Sequence, residues 1–442
     1  MTAWVPFEPF SPDRLPDPSI SDTEPDPLFT TIYRASVGGG DAYRATRLAV
    51  RRDGPILRVG NRFVRVDRYR EIAFAAIGAA APSQALAVTA ALGPAVTQGF
   101  MAGPDPLPRE VPFRGTVAPM GWPGSTETVA EELLELAAGL SERDLFLLLL
   151  SPGSLGYLAT APPGVQRADW TSLLQRVSRT GASSREVALV ARCLGSGAAG
   201  GRLVRSTRAD LVPLVVDRGD GADLVGGGPT LAVTEAERTE VQAILGRAGV
   251  EPTDGRFVRP GNQSAGVGTL VGSRSSVRPV AIVTPADALR DAADAVSDKR
   301  WRPTLAALAI EGGVELAADR FVERAETAAQ TAINEGLPSS GGRASHGVVA
   351  FAGTTLGLPE GVDDDDSVLR FLRQAGSRIH RRDATVALLR TAGASDGHSA
   401  PGGVIGAAAR PGTGPPGAVR PLRMRPGITD VGYIAVMAVP AR

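Results

Sequence analysis

Two short apolar runs end in loops suited to contact with a ligand. Asp144–Leu150 has the length of a buried strand and stops at Ser151-Pro-Gly-Ser-Leu-Gly156. Small residues there let backbone N–H groups face a bound molecule. Leu211–Val216 stops in the same way at Asp217-Arg-Gly-Asp-Gly221. Between the two, the stretch Ala182–Leu194 opens into Gly195-Ser-Gly-Ala-Ala-Gly-Gly-Arg202, and the segment closes on Gly226-Gly-Gly-Pro-Thr230. Arg192 offers a planar fork for carboxylates. Asp217 and Asp220 suit either a reactive site or the capping of turns. His346, His380 and His398 are too scattered for a metal site, and none is proposed. His398, beside Asp396-Gly397, is the candidate base. Cys193 reads as a small buried apolar residue. The chain has one lysine, Lys299, so any mechanism needing a buried lysine must use it.

Strand, Gly-rich loop, helix, strand and a second Gly/Asp loop are the grammar of a doubly wound α/β sheet. Ligands of such sheets sit beyond the carboxyl ends of the strands. The flanking segments extend the pattern. Leu48–Val66 predicts two antiparallel strands with a turn at Asp53-Gly54-Pro55, and Ile72–Gly78 a buried strand leading into a helix over Ala79–Ala91. Glu127–Leu140 predicts an amphipathic helix, and Thr234–Gly249 a helix with an acidic start. Val277–Val283 reads as a strand, followed by a helix with Pro285 at its first position. A strand, a Gly turn and a long helix follow Pro303, then strands at Val348–Thr355, Thr385–Thr391 and Tyr433–Val439. Asp363–Asp366 reads as the acidic start of a helix over Ser367–Gln374. Residues 1–30 read as an extended arm or a strap over a partner subunit, 252–272 as a junction between domains, and 398–419 as a flexible loop.

Composition bounds the function. The length of 442 residues suits two or three domains, and 43% hydrophobic residues is ordinary for a soluble globular chain. The formal net charge is zero, which argues against a general nucleic-acid or anionic-membrane surface. One cysteine excludes an internal disulfide. Residues 1–6 lack the pattern of a signal peptide, and no apolar run reaches the ~18 residues of a membrane span. A cytoplasmic protein is the expectation.

The segment "LSERDLFLLLLSPGSLGYLATAPPGV", then "TGASSREVALVARCLGSGAAGGRL", then "LVVDRGDGADLVGGGPT" resembles, in order and spacing, the glycerate 2-kinase family of the two-domain MOFRL type. The three match its SGGGS loop, its INTVRKHLS…KGGR segment and its SDVxGD…SGPT segment. The likeness extends over roughly Leu48–Val439, through Val348–Thr355 and Arg425–Val431. It implies an α/β fold of two domains. Residues 31–250 would form a larger N-terminal domain on a doubly wound, mostly parallel sheet, and 251–442 a smaller α/β C-terminal domain. The ligand would lie in the cleft between them.

Many of the family's charged positions are changed. Its first lysine matches Ala79, its histidine of GHPVPD matches Trp122, and the Asn, Arg and His of the INTVRKHLS segment match Ala188, Ala191 and Cys193. The lysine of KGGR matches Ala199, the glutamate of GGET matches Thr354, and the GGRNQE motif has no counterpart. Removing one such group costs on the order of 3 kcal/mol of transition-state stabilisation. The resemblance therefore implies Arg192, Asp217, Asp220 and Asp396 in a catalytic set, to which His398 is added for its place beside Asp396-Gly397. The substrate contacts would be Ser151, Gly153, Ser154, Tyr157, Trp122, Arg202 and Thr429, with Tyr157 and Trp122 making the site more apolar. The leading reading is a repurposed non-kinase enzyme acting on a small molecule, in biosynthesis of the secondary-metabolic kind. A kinase of glycerate or a related hydroxy acid, with ATP and Mg²⁺ on Asp217 and Asp220, is the second. An inactive homologue acting as partner or regulator is the third. A homodimer is left open.

Overall fold

The computed structural model describes residues 27–103, 111–117, 126–217, 219, 221–225, 227–250, 276–337, 345–357, 364–381, 383–390, 402–406, 420–421 and 433–441. The chain divides into two compact units. The larger comprises Ala42–Thr284 with Pro359–Gly361; the second comprises Met1–Asp41, Pro285–Leu358 and Val362–Arg442. The division falls after Thr284 and not near residue 250. The N-terminal segment belongs with the C-terminal half, because α1 (Pro27–Gly39) packs on α12 (Pro285–Asp298). Residues 27–30, expected in an extended arm, are the first turn of α1.

In the larger unit, α2 (Ala42–Ala49) leads into a meander of three strands, one more than expected: β1 (Val50–Asp53), β2 (Ile56–Val59) and β3 (Arg62–Arg65). Next come β4 (Glu71–Ile77), α3 (Ala81–Leu92), β5 (Gln98–Gly103), β6 (Arg114–Val117), α4 (Thr126–Gly139) and β7 (Asp144–Leu150). Then follow α5 (Ser154–Leu158), β8 (Ala159–Thr160), α6 (Arg167–Arg179), α7 (Ser184–Leu194), β9 (Ser196–Gly197), α8 (Arg202–Ser206) and β10 (Asp210–Val216). The short α9 (Ala222–Val225) and α10 (Gly227–Thr230), α11 (Glu235–Arg247) and β11 (Val280–Val283) complete the unit. The main sheet runs β11-β10-β7-β4-β5-β6, with every pairing parallel.

Every residue of β7 is buried. That is why its sequence is a continuous apolar run and not an alternating one. Alternate side chains feed two cores. Phe146, Leu148 and Leu150 join Val129 and Leu133 of α4 on one face. Leu145, Leu147 and Leu149 join α3 and the meander residues Leu57 and Val59 on the other. A third cluster binds α6, α7 and α11 around Trp170. At the entry to β7, buried Asp144 accepts from the Ser141 N–H and hydroxyl and from Arg70. Burial pushes this carboxyl upward, but those donors outweigh it and hold it below the usual range.

The second unit is built on β12 (Trp301–Gly313), α13 (Val314–Asn334), β13 (Gly347–Gly357), α14 (Asp364–Arg378), β14 (Thr385–Arg390), β15 (Gly402–Gly406), β16 (Arg420–Pro421) and β17 (Tyr433–Pro440). Its sheet runs β12-β13-β17-β14-β15-β16 and is mixed, parallel only between β12 and β13. Helices α13 and α14 bury Phe321 and Phe371 against one face. Strand β15 lies within 398–419, so part of that expected loop is sheet. The junction 252–272 lies outside the described residues. Among the described residues no helix is long and apolar enough to cross a membrane.

Candidate functional site

The loops after β4 and β7, neighbours in the parallel sheet, are laced together. The Ala79 N–H donates to Pro152 O at 3.0 Å, and the Ser151 N–H to Ile77 O at 3.0 Å. The Ser151 hydroxyl donates to Ile77 O at 3.2 Å and accepts from the Ala80 N–H at 3.0 Å. Ser151 is fully buried. Both roles of its hydroxyl go to fastening the two loops. Gly78 makes the approach possible. Its φ is +115°, and a Cβ there would stand 2.5 Å from Ser151 O and Oγ.

Gly153, at φ +82°, turns the chain into α5. Ser154 follows, fully buried, with an Oγ that has no hydrogen-bond partner. Tyr157, expected to line the ligand cleft, is only 3% exposed and packs in the core with Leu133, Leu158 and Leu203. Past α5, β8 pairs with β9, and the Ala198 N–H donates to Leu158 O at 3.0 Å. Gly197 at this crossing has φ +69°, and a Cβ there would meet Leu158 O at 2.6 Å. Gly78 and Gly197 therefore serve loop-on-loop packing.

Arg192 sits in the last turn of α7 with its side chain 4% exposed. Its Nη1 donates to Glu237 Oε1 at 2.5 Å, and its Nη2 to Ala232 O at 3.2 Å. Glu237 holds a second job. Its Oε2 accepts from the Thr234 N–H and hydroxyl in the capping box that starts α11. Arg192 thus ties α7 to the head of α11. Its neighbour Cys193 has its thiol pushed up to about 12 by burial and by the nearby Glu237 carboxylate. A thiol so raised is not a nucleophile at neutral pH.

Asp217 ends β10. Its Oδ1 accepts from the Gly219 and Gly221 N–H groups at 2.9 and 3.0 Å, and its own N–H donates to Val283 O. This is the turn-capping alternative. Arg202 is the first residue of α8. Asp220, Trp122, Asp396, His398 and Thr429 lie outside the described residues. Lys299 is exposed just past α12. The loops Gly78–Ala80 and Ser151–Ser154 carry no cation, and Asp217 spends one oxygen on its own turn. Among the described residues no group of three or more His, Cys, Asp and Glu could hold a metal.

One polar residue escaped sequence reasoning. Gln84, in the first turns of α3 just beyond the Gly78 loop, is fully buried with both amide atoms unpartnered. The available signal was a lone amide in the apolar helix Ala81–Leu92. Two unsatisfied polar atoms cost stability, so Gln84→Met, close in shape, is expected to raise unfolding free energy by about 1–3 kcal/mol. Urea denaturation of the two proteins checks this, and a loss of stability would mean that the amide has a partner.

A model of the family described as "Domain of unknown function (DUF4147)" matches residues 28–256. A glycerate kinase of Danio rerio is 31% identical over 118 residues, which is 26% of this chain and only 23% of that protein. A putative hydroxypyruvate reductase of Agrobacterium vitis is 28% identical over 307 residues, 61% of this chain and 68% of that protein. Among solved structures, a glycerate kinase from Thermotoga maritima superposes with a TM-score of 0.64 at 17% identity, covering 93% of this chain and 98% of that one. The PH0495 protein from Pyrococcus horikoshii OT3 gives 0.63 at 17% identity, covering 94% and 98%. At that identity the structures speak for the fold alone.

Proposed function

The chain belongs to the DUF4147 family, and from that premise we propose a small-molecule enzyme of glycerate-kinase-like type whose chemistry has left lysine-assisted phosphoryl transfer. The substrate class rests on the relatives. Glycerate and hydroxypyruvate share a three-carbon skeleton and differ by two hydrogens at C2, so the two names disagree on the reaction and agree on the molecule. A short hydroxy or keto acid is the ligand we infer, bound beyond the carboxyl ends of the parallel strands.

The change of chemistry rests on one observation. Ala191 and Ala199, which by resemblance stand where the family has a basic group, are fully buried in the core around Trp170. An isolated charge buried at either position would be costly. Phosphoryl transfer depends on cations placed against the developing negative charge.

The test is direct. The purified chain with D-glycerate or hydroxypyruvate and Mg·ATP is expected to release ADP at least about a thousandfold more slowly than a working kinase, given the loss of more than one electrostatic group. Thermal shift is expected to rise with the acid and not with millimolar nucleotide. Nucleotide-dependent phosphorylation at an ordinary kinase rate would sink the proposal. No shift with either acid would remove the substrate class.

A further inference from the structure

We propose that the outward face of the β1–β3 meander docks the acidic N-terminal segment of a second copy of this chain. The charge of the whole chain is zero, but its distribution is uneven. Residues 42–70 contain nine arginines against two aspartates, with no lysine and no glutamate. The meander register sorts them. Leu57 and Val59 point into the core, while Arg51, Arg58 and Phe63 align across the three strands on the outward face. Ile56 and Arg65 form the next row on that face.

Phe63 is 73% exposed, the most exposed large hydrophobic of the described residues, and Ile56 is 39% exposed. An aromatic ring and an aliphatic side chain held outward between guanidinium groups make a surface that gains from being covered. The fold employs part of the arginine excess itself: Arg62 pairs with Asp210, Arg65 with Asp67, and Arg70 with Asp144. The outward Arg58 spends only its Nε, on Gly60 O.

The complement lies in the same sequence. Residues 1–26 hold six carboxylates and one arginine, together with Trp4, Phe7 and Phe10. They are outside the described residues, so their composition alone enters the argument. An aromatic stretch that holds Glu8 and is followed by five further acids matches arginines set around an exposed ring, in sign and in kind. A nucleic acid would also satisfy the arginines. The self-supplied segment is favoured because the chain encodes both halves of the match.

Sedimentation velocity on the full-length chain tests this. A reversible dimer is expected, with its dissociation constant raised at least about tenfold in about 1 M salt, where screening shortens to roughly 3 Å. The same loss is expected in R51E/R58E, in F63S, and in the neutralised segment D13N/D17N/D22N/E24Q/D26N. Mixing R51E/R58E with D13K/D17K/D22K should restore association. Circular dichroism checks that each variant is folded. A monomer at every concentration overturns the proposal. So does a dimer indifferent to salt and to both sets of variants, or a monomer that binds labelled oligothymidylate through Arg51 and Arg58.

Discussion

Replacing Gly78 with alanine is expected to cost the larger unit about 3–5 kcal/mol, one of the two largest effects we foresee. Two separate penalties add. The backbone there holds φ +115°, a region that side chains of L residues rarely enter. The new methyl would also stand 2.5 Å from Ser151 O and Oγ and 2.8 Å from Pro152 O, of which two are backbone atoms that cannot rotate aside. Relief would require the β4 and β7 loops to separate and give up the Ala79 and Ala80 hydrogen bonds. At this size of unit the unfolding transition should fall by roughly 10 °C. Gly54→Ala is the control. Its φ is +56° with nothing within 4 Å, so it meets only the left-handed penalty of about 1–2 kcal/mol. Differential scanning calorimetry of both variants separates strain from clash. A Gly78→Ala protein melting beside the Gly54→Ala protein would mean that the loops are not laced as described.

The contrast between these glycines shows what a sequence makes legible. The strands β4, β7 and β10 could be read because central parallel strands are buried on both faces, which forces unbroken apolar runs. The helix α11 could be read because Thr234 and the early acids announce a start. What could not be read was long-range partnership. Nothing in Val280–Val283 says that it pairs with β10 in parallel, so the boundary was expected some 30 residues too early. The third strand of the meander was hidden by its arginines, which face outward or reach across to Asp210. The same limit governs the site. The loops were found from their small residues, but a hydroxyl at Ser151 looks identical in sequence whether it meets a ligand or a neighbouring carbonyl. Resemblance located Arg192 and could not foresee that a carboxylate 45 residues on would claim it.

That claim yields the second large effect. Arg192→Leu is expected to destabilise the larger unit by about 3–5 kcal/mol, because breaking a buried ion pair strands its partner. The stranded group is Glu237, 22% exposed, so water recovers part of the loss and the lower end of the range is expected. Two carbonyls, Leu231 O and Ala232 O, also lose a donor. The double variant Arg192→Leu with Glu237→Gln distinguishes the causes. The amide keeps an oxygen for the Thr234 cap while removing the charge that needs an arginine, so most of the stability should return. Chemical denaturation of wild type, both single variants and the double variant closes the cycle, with a coupling of about 1–3 kcal/mol expected. The two roles for Arg192 predict opposite patterns. A residue that holds α7 to α11 lowers the melting temperature and leaves ligand affinity per folded molecule alone. A residue that grips a carboxylate substrate leaves the melting temperature alone and abolishes the thermal shift given by the acid. The second pattern would overturn the structural role, and restoration by Glu237→Gln would then be inexplicable, since that change supplies nothing to a substrate.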